Sequence, residues 1–149
     1  MPANTSPIFT LTPNVGLAAV TAANTKSDGT GTIATDIFKA LTSGANGSWV
    51  SRVRWNPTAT VAATSTTNTV GRVFLSTKTS GATTGGTDTW LLGEVALVSV
   101  SADHSTAPTN PIELMLNMAI ATGYTILVTN HAAPAANTAW QAIVIGGDY

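Results

Sequence analysis

The sequence predicts an all-β domain: an antiparallel two-sheet sandwich, jelly-roll-like, with about eight strands and an extended N-terminal arm. Three observations predict it. Helical periodicity is hard to find, short apolar or alternating segments recur between turn-rich stretches, and Thr, Ser, Asn and Gly fill nearly every polar stretch. Threonine adds to the case because its branched Cβ suits a pleated surface.

The chain opens on Pro2, Pro7 and Pro13, whose spacing discourages both helix and central strand. Residues 1–15 are therefore expected to form an extended arm, and residues 16–149 a single sandwich domain. Within the arm, Ile8, Phe9 and Leu11 are large apolar groups for which a solvated tail has no use. They are expected to dock on a neighbouring subunit or on a larger shell. Strands follow at 17–23, 36–41, 49–55, 70–77, 90–100, 112–118, 124–129 and 140–145. The clearest is 112–118, where Ile112, Leu114, Leu116 and Met118 alternate onto one face. The intervening stretches, 24–31, 42–48, 56–68, 78–88, 101–111 and 130–138, are dense in turn residues and read as loops. Two packed sheets are required because a single open sheet of this composition would leave one apolar face wet. Strand order is not legible from the pattern.

Hydrophobic residues make up 44% of the chain and charged residues 9%, against roughly 25% charged in an average soluble domain. The net charge is −1 with no run of Lys or Arg, which argues against a nucleic-acid partner. Cysteine is absent, so disulfides and thiolate metal sites are excluded. The N-terminus lacks the basic start and apolar stretch of a signal peptide, and no apolar run approaches the length of a membrane span. A soluble chain beginning near Met1 is expected.

The sequence shows no catalytic constellation. The seven carboxylates, Asp28, Asp36, Asp88, Glu94, Asp103, Glu113 and Asp148, are scattered one per segment, and Asp28, Asp88 and Asp148 sit where Asp commonly caps a turn. His104 and His131 fall in expected loops without a nucleophile elbow nearby. Asp103 with His104 supplies two metal ligands where a site needs three or four. Gly29-Thr30-Gly31 and Gly85-Gly86 lack the Lys-Ser or Lys-Thr of a phosphate cradle and read as turns. No catalytic residue, metal or cofactor is therefore expected, and the chain reads as a non-enzyme.

The arginines are more informative. Alternation through 49–55 puts Trp49, Val53 and Trp55 on one face, expected to be the core, and Val50, Arg52 and Arg54 on the other. Arg72 is expected on a neighbouring strand. The bland reading of these three is a solvated sheet face. The functional one is an inter-subunit patch that pairs with Glu94, Glu113 or Asp148 of a neighbour, since arginine is favoured at interfaces. Ile143-Val144-Ile145, Leu91-Leu92 and Val95 to Val98 are apolar on both faces. Such strands are covered either by a neighbouring subunit or by the chain's own long loops.

Asn4-Thr5-x-Pro7-Ile8-Phe9 and Thr12-Pro13-Asn14 at the start, Gly47-Ser48-x-Val50-x-Arg52-Val53-Arg54 in the middle and Gly146-Gly147-Asp148-Tyr149 at the end form a pattern. It resembles the small structural proteins of tailed bacteriophages and prophages. The resemblance implies a virion protein that decorates or cements a capsid through contacts with itself, typically as a trimer, and with the major capsid protein. It implies no catalytic pattern. The alternative it leaves open is a tail or fibre module binding host-surface carbohydrate, which aromatic residues in loops would favour. Here Trp49, Trp55, Trp90 and Trp140 all fall in expected strands, which leans towards core use.

Overall fold

A computed structural model describes residues 10–61, 65–101 and 112–149. Eight main strands form where alternation placed them: β1 (Thr12–Val20), β3 (Phe38–Thr42), β4 (Ser48–Ala59), β5 (Thr69–Ser76), β7 (Thr89–Leu97), β8 (Ile112–Ile120), β9 (Thr125–Asn130) and β10 (Thr138–Asp148). Two short strands, β2 (Gly31–Thr32) and β6 (Ala82–Thr83), pair with each other, β2 at the end of the expected loop 24–31 and β6 inside the expected loop 78–88. No helix occurs among the described residues.

The two main sheets run β1-β10-β4-β8 and β3-β9-β5-β7, every pairing antiparallel. Numbering the eight main strands in chain order, the orders are 1-8-3-6 and 2-7-4-5. The first strand pairs with the last, the second with the seventh, the third with the sixth and the fourth with the fifth, as in a long hairpin rolled around a core. This is the jelly-roll connection.

The inner faces meet over Val50, Val53, Trp55, Trp140, Ala142 and Val144 from one sheet and Val73, Leu97, Ile126 and Val128 from the other. Trp55 and Trp140 are fully buried, each contributing at least the roughly 1.5–3 kcal/mol of a large apolar side chain. Glycine makes room for Trp55: a Cβ on Gly71 would stand 3.1 Å from Trp55 Cε2. As expected, Ile112, Leu114, Leu116 and Met118 turn inward onto this core. The β1/β3 side is closed more tightly still, because a Cβ on Gly16 would fall 2.0 Å from the carbonyl oxygen of Ala40.

The structure departs from the sequence reading at three places. Thr12 to Val15, read as the end of the arm, begin β1; Pro13 is accommodated because β1 is an edge strand, where a missing N–H is tolerated. Trp49 does not face the core. A bulge at Ser51, between Val50 and Arg52, reverses the alternation, so Val50 turns inward with Val53 and Trp55 while Trp49 joins Arg52 and Arg54 outside. Arg72 is not in the same sheet as the other arginines: it lies on β5, and they lie on β4.

Candidate interaction surface

The two sheets differ in what covers their outer faces. Phe74 of β5 and Leu127 of β9 point outward, and the chain buries them itself under Ile33 and Ile37, forming a second small core. The covering layer is built from the β1–β3 and β5–β7 connections. Ile33 N–H donates to Gly81 O at 2.9 Å, Thr83 Oγ1 to Gly29 O at 2.7 Å, and Gly85 N–H to Thr30 Oγ1 at 3.0 Å. Carboxylates and amides set its turns: Asp36 accepts from Thr32 N–H at 2.6 Å and from Asn24 Nδ2 at 3.2 Å, and Asp28 accepts from Thr30 N–H at 2.9 Å. The bond from Thr30 N–H, with a second from Thr30 Oγ1, holds the Asp28 carboxyl below its ordinary range. Asp88 accepts from Thr84 N–H at 2.8 Å, so both it and Asp28 cap turns, as their sequence contexts suggested.

Arg72 is sealed beneath this layer at 7% exposure. Its Nε donates to Glu94 and its Nη1 to the Asn24 carbonyl at 3.2 Å. The cation is thus paired within the chain and fastens the cover to β5.

The β1-β10-β4-β8 sheet carries no such layer among the described residues. Register places three rows across it: Pro13-Gly147-Trp49-Ala119, Val15-Ile145-Arg52-Met115 and Leu17-Ile143-Arg54-Glu113. The β1/β10 half is apolar, with Leu17 68% and Val15 55% exposed beside half-buried Ile143 and Ile145. The β4/β8 half is mixed. Arg54 Nε and Nη2 lie 2.8 and 2.7 Å from Glu113 Oε1, Arg52 Nε lies 3.6 Å from the same oxygen, and Met115 is 53% exposed beside them. A groove of about 240 Å³ runs along the apolar half, lined by Leu17, Ala18, Ala19, Gln141, Ala142 and Ile143.

At one end of this sheet Asp148 joins three segments. It accepts from Asn14 Nδ2 at 2.7 Å and from Ser48 Oγ, next to the turn at Gly44. Among the described residues no arginine bonds to it. Burial alone would raise its pKa, but hydrogen bonds from Ser48, Asn14 and the Gly44 backbone outweigh that and the carboxyl is held low.

Of the residues singled out from sequence, the structure brings Arg52 and Arg54 together with Glu113 of the same chain and separates Arg72 from them. Leu11 is 72% exposed at the foot of β1. Ile8, Phe9, Asp103 and His104 lie outside the described residues. His131 is exposed, and its backbone N–H completes the β5/β9 end by donating to Val70 O at 2.9 Å. No group of three or more His, Asp or Glu that could hold a metal ion occurs among the described residues. Sequence reasoning missed Val15, Leu17 and Met115; for the first two the available signal was the two-sided apolar run at Ile143-Val144-Ile145, whose outward members are the partners of Leu17 and Val15, whereas Met115 pairs with Arg52. Trp90 is 41% and Trp49 38% exposed, so only Trp55 and Trp140 serve the core. Comparison of the chain with models of protein families, with curated proteins and with solved structures returned no match.

Proposed function

We propose that the chain is a structural protein of a bacteriophage virion that decorates or cements the capsid through the uncovered face of its β1-β10-β4-β8 sheet. The observation that carries this reading is the asymmetry of the outer faces. Both present large apolar side chains, yet among the described residues only the β3-β9-β5-β7 face has a cover built from the chain itself. An apolar row rimmed by an Arg–Glu cluster has the composition of a protein interface: apolar at its centre, with arginine favoured over lysine. The jelly roll occurs in capsid proteins, lectins and cupins alike, so topology by itself does not choose among them. The virion, the major capsid protein as partner and a self-associated, trimeric form come from the sequence resemblance.

The test is to purify particles made from the genome that encodes the chain, then to measure its copy number by mass spectrometry and its position by electron cryo-microscopy. The reading expects a fixed stoichiometry on the shell with β1 and β10 turned towards it. Particles without the chain would overturn it.

A second reading, a tail or fibre module that binds host-surface carbohydrate, is favoured by one observation. Trp49 and Trp90 both present part of their indoles to solvent, and sugars stack on such rings. It expects Trp90→Ala to abolish adsorption of particles to host cells while leaving the shell intact.

A further inference from the structure

The outward positions of the β1-β10-β4-β8 sheet carry three charged side chains, Arg52, Arg54 and Glu113. Two guanidiniums thus face one carboxylate, and the surplus is one positive charge on an otherwise uncharged face. Glu113 Oε1 is taken by Arg54, whose Nε and Nη2 lie 2.8 and 2.7 Å from it. Arg52 Nε stands 3.6 Å from the same oxygen, beyond hydrogen-bond length, and is enclosed without a partner among the described residues. Its neighbours along the row are Ile145 on β10 and Met115 on β8, and neither answers a cation.

A protein that covers this face takes Arg52 out of water. The side chain is now 35% exposed and hydrated; buried without a counter-charge it would oppose docking. A planar guanidinium is met best by a carboxylate, which can accept two parallel bonds from it. A second copy of the chain has none to spare among the described residues. Glu94 holds Arg72, Asp148 joins Asn14 to Ser48, and Asp28, Asp36 and Asp88 each accept from a backbone amide of their own turn. We propose that the surface this chain docks on belongs to a different protein and presents an Asp or Glu that seats on Arg52. That carboxylate stands beside an apolar side chain packed on Ile145, one strand spacing or about 5 Å away. The proposal rests on the reading of this face as the attachment to a virion shell, and it supplies the chemistry of the shell's side of the contact.

The test uses particles assembled from a genome lacking the gene, to which full-length protein is added back and its binding measured by co-sedimentation. Arg52→Leu keeps an apolar stem and removes the fork. It should melt with the parent yet bind at least about thirtyfold more weakly, because the shell's carboxylate is then buried unpaired. Arg52→Lys restores the charge and carries an amine that a carbodiimide joins to a carboxylate in direct contact. Peptide mass should then show a link from position 52 to an Asp or Glu of the shell protein. Undiminished binding by Arg52→Leu overturns the proposal. So does a bound Arg52→Lys chain with no link, or one linked only to its own Glu113 or to a second copy. The two readings fail separately. A parent chain that does not bind the particles sinks the shell reading and this partner with it, whereas a parent that binds no better than Arg52→Leu sinks the carboxylate alone.

Discussion

Arg72 donates from Nη1 to the backbone carbonyl of Asn24 at 3.2 Å, and this bond ties the start of the covering layer to the outer face of β5. The same guanidinium is neutralised by Glu94, which stays partly in solvent. One buried cation therefore holds a sheet, an edge strand and a long connection together.

Replacing Arg72 by Met keeps most of the volume and removes the donors. Unfolding free energy should fall by about 1–3 kcal/mol, the usual cost of breaking a buried charge-assisted bond. Amide hydrogen exchange should accelerate in residues 24–37 well beyond the global change. Exchange in that segment no faster than in β4 would show that Ile33 and Ile37 hold the cover without the arginine.

Gly16→Ala tests the closed side of the sandwich. The added methyl meets the Ala40 carbonyl, a backbone atom that cannot swing aside, so β1 and β3 must separate. A loss of about 1–3 kcal/mol in chemical denaturation is expected from such overpacking. A neutral outcome would mean that the two edge strands approach less closely in solution.

Asp148 links stability to pH. Its folded pKa lies below the ordinary value of 3.8, so the carboxylate stabilises the fold above that value and its contribution is lost as pH falls through the folded pKa. The melting temperature should hold from neutral pH down to about pH 5 and drop below about pH 4. Asp148→Asn should lower it at neutral pH and flatten the acid slope. Part of the slope should remain, because Asp28 is shifted in the same direction. An unchanged slope in the variant would remove Asp148 from the account.

The main strands were legible in the sequence because alternation is local: each of the eight can be recognised without knowing its neighbours. Their order was not, since β1 pairs with β10 across almost the whole chain and nothing at Thr12 announces Asp148. Trp49 was assigned to the wrong face because period-two reasoning cannot see the bulge at Ser51. The covering layer hid because Ile33 is a lone apolar residue in a Gly- and Thr-rich stretch, and Ile37 falls inside the expected strand 36–41, where nothing local marks it as part of a cover. Of the candidate interface, Arg52 and Arg54 were visible as a cluster. Leu17 was not, because its exposure depends on what fails to cover it.

Leu17 also offers the most direct test of the central claim. It is 68% exposed on the face that the described residues leave uncovered, so Leu17→Asp should leave the melting of the isolated chain within about 0.5 kcal/mol of the parent. The matching measurement is the copy number of the variant on purified particles. The account predicts an unaltered fold and particles stripped of the protein; a variant that occupies particles as fully as the parent would show that this face does not hold it there.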